Sequence, residues 1–213
     1  MNLPAALKEE LSSELPGLKT QLKMAPENKS LRSIHTIDQN ASVCIIILCG
    51  PGQNEILLTK RTTYNGHHSG QVSLPGGKEE PNDTSLVQTA IRESYEEIGI
   101  ILSLENFLGK LTPLYVPLSQ IMVHPFVFYY PFTEKIHFNL DNQEVDYILY
   151  CSLKALQDKN LVRKKKISID NYSFTIPYYA IEGETVWGAT AMILSEFIEI
   201  LRRIERKNTG ISF

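Results

Sequence analysis

The run Arg92-Glu93-Ser94-Tyr95-Glu96-Glu97-Ile98-Gly99-Ile100, shortly after Leu74-Pro75-Gly76-Gly77, constrains this chain more than any other stretch. On a helix turning about 100° per residue, Glu93, Glu96 and Glu97 fall within a sector of roughly 100°. Like charges at i,i+4 cost about 0.2–0.5 kcal/mol, so such a face needs either solvent or a cation. Asp83 precedes Thr84 and Ser85 and is placed to cap the helix N-terminus. Val87, Ile91, Ser94 and Ile98 recur at helical spacing as a narrow buried stripe, with the acids expected on roughly the opposite side. Gly99 supplies the stop. Hard divalent cations take oxygen ligands and are often held by a few carboxylates plus substrate phosphates. A charged helix face is more often simply solvated, and periodicity alone leaves both readings open.

The remaining pattern alternates between strand and helix signals. Leu3 to Leu22 reads as one or two short amphipathic helices broken around Pro16-Gly17, and Pro26 to Gln39 as a polar linker. Ala41 to Cys49 is a β-rich apolar run, with Glu55 to Arg61 as its hairpin partner after the Pro51-Gly52 turn. Gln71 to Leu74 is a short strand, and Phe107 to Leu111, Val123 to Tyr130 and Tyr147 to Ser152 are further strand candidates. Tyr172 to Ile181 and Thr185 to Trp187 flank the Glu182-Gly183-Glu184 turn. Gly188 to Lys207 closes as a helix, apolar at Met192, Ile193, Phe197, Ile200, Leu201 and Ile204.

With 213 residues, 43% hydrophobic and 21% charged, the chain suits one medium globular domain with additions. A net charge of −3 gives no global field for nucleic acid. The basic run Arg163-Lys164-Lys165-Lys166 is expected to be a solvated loop. Cys44, Cys49 and Cys151 lack metal-ligand spacing and sit among apolar residues, as reduced core thiols of an intracellular protein would. Met1 to Met24 is polar and helix-like, not an apolar leader, and the longest apolar run is too short to span a bilayer. Cytoplasmic residence, with no membrane partner, is therefore the expectation.

From Gly77 to Ile100 the chain resembles the Nudix box, G-x5-E-x7-R-E-U-x-E-E-x-G-U with U a bulky apolar residue. That box marks hydrolases of nucleoside diphosphates linked to another moiety. Gly77, Arg92, Glu93, Glu96, Glu97, Gly99 and Ile100 match it. Asp83 stands where the first Glu belongs, one extra residue separates it from Arg92, and Ser94 replaces an apolar residue. The first two departures resemble the coenzyme A pyrophosphatase branch, whose upstream motif is L-L-T-x-R-(S/A)-x3-R-x3-G-x3-F-P-G-G. Here Leu57-Leu58-Thr59-Lys60-Arg61-Thr62, Gly66, Gly70 and Leu74-Pro75-Gly76-Gly77 keep its spacing. Thr62, Gly66 and Leu74 depart from its small residue, second Arg and Phe. His68-Ser69-Gly70-Gln71-Val72 and Val186-Trp187-Gly188-Ala189-Thr190-Ala191 are similar to two further stretches of that branch.

The resemblance implies an α/β fold, an α/β/α sandwich with a mixed β-sheet. It would span residues 41–207, after an N-terminal helical extension and linker over 1–40 and before a tail over 208–213. It implies Mg²⁺ or Mn²⁺ held by Glu93, Glu96 and Glu97, with the Gly77 carbonyl as a further ligand. Arg92 is expected to orient a box glutamate, because its planar fork suits a bidentate carboxylate. Glu144, in a Glu-Val pair before a late strand, is the candidate for the extra acid that such enzymes draw from outside the box. Arg61 is the candidate for a substrate phosphate, with His68 and Gly70 in the adjoining loop. The implied substrate is coenzyme A or acyl-CoA, cleaved to adenosine 3′,5′-bisphosphate and 4′-phosphopantetheine or its acyl form. Gly66 and Leu74 leave open another nucleoside diphosphate derivative: ADP-ribose, a nucleotide sugar, a dinucleotide or a nucleoside triphosphate. A non-catalytic module of the same fold tends to lose box acids that this chain keeps. Members commonly form a homodimer, and nothing in the sequence marks an interface.

Overall fold

Val43 to Cys49 is apolar at every position, and a strand of that kind is stable only with both faces covered. The computed structural model, which describes residues 2–27, 37–50, 52–63, 69–169 and 172–207, gives it that setting. The chain opens with helices α1 (Leu3–Leu11) and α2 (Leu18–Gln21), then strands β1 (Gln39–Gly50), β2 (Gln53–Arg61), β3 (Val72–Ser73) and β4 (Gly76–Lys78). Helix α3 (Leu86–Ile98) follows, then β5 (Phe107–Lys110), β6 (Leu114–Val116), β7 (Ile121–Pro131) and β8 (Val145–Ser152). The last elements are α4 (Leu153–Leu156), β9 (Val162–Ile169), β10 (Tyr172–Ile181), β11 (Glu184–Val186) and α5 (Gly188–Lys207).

Strand β1 is the axis of a mixed sheet. It runs parallel to β7 and antiparallel to β2 and β4. Strands β3 and β8 pair with β2, and β5 and β6 with β7. Successive β1 side chains point to opposite faces. Cys44, Ile46 and Leu48 meet Ala90 and Ile98 of α3, whereas Ile45, Ile47 and Cys49 join the core formed with α1 and α5. The three cysteines are buried and unpaired, as their apolar neighbours require. A smaller antiparallel sheet, in the order β11-β10-β9, adds Tyr179, Ile181 and Val186 to the α5 side. The layers are those of an α/β/α sandwich. Among the described residues, no helix is long and apolar enough to cross a membrane.

The N-terminal helices pack into the same core. Leu3, Ala6, Leu7 and Leu11 of α1 lie with Phe197, Ile200, Leu201 and Ile204 of α5 in one buried cluster. Buried Glu10 pairs with Arg203 at 3.4 Å and Lys207 at 2.5 Å. Glu196, fully buried on α5, accepts from the Gly17 N–H (2.9 Å), Gln21 Nε2 (2.8 Å), Thr112 N (3.2 Å) and Thr112 Oγ1 (2.7 Å). A buried carboxylate without such donors would carry a large desolvation cost, so these bonds tie α2 and residue 112 to α5.

Two local expectations change. Asp83 does not cap α3; Ser85 does, through its side chain to the Gln88 N–H at 3.4 Å. Arg163 to Lys166 form an edge strand, β9, instead of a loop. Exposed lysines on an edge strand discourage pairing with another chain, and Lys164 reaches Glu27 while Lys165 reaches Thr185.

Leu7 is wholly buried, whereas Leu18 is 46% exposed. Leu7→Ala is expected to cost about 2–5 kcal/mol, and Leu18→Ala less than about 0.5. Urea unfolding of the full chain reads both; equal, small effects would show that α1 is not part of the core.

Candidate active site

Four stretches build the site: the C-terminal half of α3, the turn from Leu74 through β4, the end of β2, and the turn before β8. Their approach depends on two glycines. Gly76 has φ 146°, and a Cβ there would run into the Ser42 backbone on β1. At Gly77 a Cβ would overlap the Glu93 carboxylate, so only glycine lets that side chain lie against the main chain. The Pro75 carbonyl accepts from the Cys44 N–H at 2.8 Å, pinning the turn to the central strand.

Arg92 organises the outer half. Its Nε and Nη2 donate to the two oxygens of Asp83, each at 3.0 Å, in a bidentate pair. Nη2 also donates to the Lys78 carbonyl at 3.0 Å, and Nη1 to Glu93 Oε1 and Glu96 Oε2, both at 2.8 Å. Asp83 further accepts from Thr89 Oγ1 and the Glu80 N–H, each at 2.9 Å. The Arg92 guanidinium holds the Asp83 carboxyl well below the usual carboxylate range. The acid at the first box position thus anchors the arginine that orients two others.

The inner half differs from the sequence expectation. Glu97 lies on the buried face of α3, with its side chain 3% exposed; Glu96 faces outward, at 54%. Helical spacing alone suggested that the three acids oppose the buried stripe, but Glu97 is buried beside Ser94 and Ile98. It accepts from the Gly76 N–H at 3.2 Å and faces Arg61 Nη1 at 3.5 Å. Burial pushes the Glu97 carboxyl up to about 8; the Gly76 bond and Arg61 oppose the rise, while Glu144 and Glu93 add to it. Burial also raises Glu93.

Glu144, in the turn just before β8, reaches the same cluster. Its carboxylate lies 3.5 Å from Arg61 Nη2. The β2–β8 register shifts between Lys60 and Arg61: Lys60 pairs with Tyr147, but Arg61 pairs with Val145. The extra residue flips Val145 into the α3-side core, whereas Leu149 and Cys151 face the other layer. Buried Val145 therefore anchors the chain next to Glu144 at the α3 layer.

Gly70 has φ 63° and donates its N–H to the Thr62 carbonyl at 3.1 Å, closing the loop after β2. Gly66, His67 and His68 lie outside the described residues. Sequence reasoning missed Asp83 as the partner of Arg92 and Thr62 as a hydrogen-bond donor, Oγ1 to the Gln143 carbonyl at 2.7 Å. The only sequence signal for the first was the position of Asp83 in the box.

Among the described residues, no three carboxylate, histidine or cysteine side chains converge into a ready ion cage. Guanidinium groups take the oxygens instead. The donor chemistry still suits a hard divalent ion: four carboxylates, two of them shifted upward by burial, beside a glycine backbone.

The unfolded chain releases the Glu97 proton near 4.5 and the folded chain near 8. Between those values the unfolded state binds fewer protons, so the cation-free protein loses stability as pH rises. In EDTA, the thermal midpoint should fall from about pH 5.5 to about pH 8. Glu97→Gln should remove most of that fall, and an identical fall in both proteins would exclude Glu97 as its source.

The NUDIX domain family matches residues 38–172. The chain is 32% identical over 177 residues to the uncharacterized Nudix hydrolase NudL of Yersinia pestis (strain Pestoides F), covering 82% of this chain and 87% of that protein. The NudL protein of Yersinia pseudotuberculosis serotype O:1b (strain IP 31758) gives the same figures. In fold, the chain is similar to the crystal structure of the MutT protein from Methanosarcina mazei Go1. That likeness has a TM-score of 0.50 at 18% identity, over 84% of this chain and 100% of that one. With the family matched over more than half its length, and relatives matched over most of theirs, this chain is a member of the Nudix hydrolase family.

Proposed function

We propose that this Nudix hydrolase cleaves the diphosphate bond of coenzyme A or acyl-CoA in a divalent-metal-dependent reaction. The observation that carries the reading is the position of Arg61. It belongs to the upstream motif, yet its guanidinium faces both Glu97 of the box and Glu144 beyond it. Further support comes from Thr190 Oγ1, which donates to the Val72 carbonyl at 3.3 Å. That bond brings the C-terminal motif, Val186 to Ala191, beside the upstream stretch that ends at Val72. Leu74 is buried in the α5-side core, so its departure from the expected Phe bears on packing more than on substrate contact.

Nudix hydrolases generally use divalent metal ions. Here Glu93, Glu96, Glu97 and the Gly77 carbonyl would hold Mg²⁺ or Mn²⁺. When bound, such an ion withdraws charge from phosphoryl oxygens and lowers the pKa of a coordinated water. Arg92 keeps Glu93 and Glu96 oriented from Asp83. Arg61 gives up its loose carboxylate contacts for a substrate phosphate, where its fork makes stronger charge-assisted bonds. Glu144 takes the proton of the attacking water as the water oxygen bonds to one phosphorus, and the bridging P–O bond breaks with the oxygen leaving on the other phosphate. The products are adenosine 3′,5′-bisphosphate and 4′-phosphopantetheine or its acyl form.

A second reading keeps the chemistry and changes the substrate to ADP-ribose, a nucleotide sugar, a dinucleotide or a nucleoside triphosphate; Gly66, which replaces a cation of the upstream motif, favours it. Comparing kcat/KM with Mg²⁺ and with Mn²⁺ on coenzyme A, dephospho-coenzyme A and ADP-ribose separates the two. Coenzyme A is expected to lead, and an ADP-ribose preference of orders of magnitude would reject the first reading. Glu97→Gln is expected to lower kcat by about a hundredfold or more with the fold intact.

A further inference from the structure

Glu144 approaches the site on a loop, and its side chain is 51% exposed. A long, half-exposed carboxylate has many rotamers, so its aim depends on how firmly its backbone is held. The loop is tied at both ends. On one side the Asp141 N–H donates to the Glu97 carbonyl at 2.9 Å and the Glu144 N–H to the Asp141 carbonyl at 3.0 Å. Asp141 Oδ1 also accepts from the Gln143 N–H at 2.9 Å. On the other side the Thr62 N–H donates to the Glu144 carbonyl at 3.0 Å, and Thr62 Oγ1 to the Gln143 carbonyl at 2.7 Å.

Residues 141–144 are therefore strung between the end of α3, which carries Glu97, and the residue after β2, which follows Arg61. Main-chain groups and Asp141 supply the first tie. In the second, a single side-chain hydroxyl bonds the peptide just before Glu144. The upstream motif has Ser or Ala at the Thr62 position, and an alanine there would lack this bond. The two carbonyls that Thr62 engages are consecutive, so together they fix the Gln143–Glu144 backbone in rotation as well as in place.

We infer that Thr62 is a positioning residue for Glu144, its hydroxyl fixing the backbone from which that carboxylate reaches Arg61 and the box acids. This rests on the proposed role of Glu144 in the hydrolysis. Loss of the hydroxyl leaves the loop attached at the α3 side, at buried Val145 and through the Thr62–Glu144 main-chain bond, and the Gln143–Glu144 peptide gains rotational freedom that spreads the carboxylate over more positions. One hydrogen bond of this kind corresponds to a change of about three- to tenfold in rate.

The test is a double-mutant cycle on the full chain, using Mg²⁺ and whichever diphosphate substrate the wild type turns over fastest. Thr62→Val is expected to lower kcat about three- to tenfold with KM changed less than about twofold. Thr62→Ser keeps the hydroxyl and should restore most of kcat. In a Glu144→Gln background, Thr62→Val should have no further effect, because the group it positions is already disabled. Thermal midpoints accompany each variant, and Thr62→Ala carries the same comparison should valine unfold the loop. Three outcomes would overturn the assignment. One is wild-type kcat in Thr62→Val beside a slow Glu144→Gln. Another is a Thr62→Val loss that simply multiplies the Glu144→Gln loss. The third, unchanged kcat in Glu144→Gln, removes the role of Glu144 itself and is distinguishable from the other two.

Discussion

The structure of the site depends on charge compensation. Asp83, Glu93, Glu96, Glu97 and Glu144 are gathered around two guanidinium groups, Arg92 and Arg61. Like charges this close repel, and two of the carboxylates are also raised by burial. The two arginines do not act alike. Arg92 makes close bonds of 2.8–3.0 Å to three acids and a carbonyl, whereas Arg61 stands 3.5 Å from each of its two. A tightly bonded cation is part of the frame. A loosely paired one is available to a phosphate, which is why the two are assigned different work.

The fold serves that arrangement by bringing four separate stretches of chain to one end of the sheet. Strand β1, covered on both faces, fixes the Leu74–Gly77 turn through Cys44, and the turn offers the Gly76 N–H to Glu97. The bulge opposite Lys60 and Arg61 turns Val145 into the α3 layer and brings Glu144 with it. On the far side of the sheet, α1 and α2 close over α5 through Leu7, Glu10 and Glu196. The helical extension is thus part of the same packed body as the sheet.

Much of this was legible in the sequence because periodicity and punctuation are local. The apolar run ending at Cys49, the hairpin into Arg61, the last helix from Gly188 and the stop at Gly99 all follow from short-range patterns, and the structure has each. What was not legible depended on partners distant in the chain. Asp83 looked like a cap because Asp is a good cap; its bidentate bond to Arg92 left the capping to Ser85. Glu97 was expected opposite the buried stripe because periodicity placed it there, but the β4 turn and Arg61 provide partners for a buried carboxylate. The lysines of β9 looked like a loop because they are polar, and strand pairing with β10 overrode composition. Thr62 read as a mismatch to a motif until the Gln143 carbonyl appeared beside its hydroxyl.

In the proposed function, a divalent ion takes over the charge balance of this carboxylate cluster. Calorimetric titration of the cation-free protein with Mn²⁺ near pH 7, repeated in buffers of different ionisation enthalpy, tests it most directly. A carboxyl held near 8 is largely protonated at that pH, and an ion can bind it only by displacing the proton. Saturable binding with release of up to about one proton per protein, absent in Glu97→Gln, is the predicted result. No binding, or binding with the same proton release in Glu97→Gln, would contradict the account.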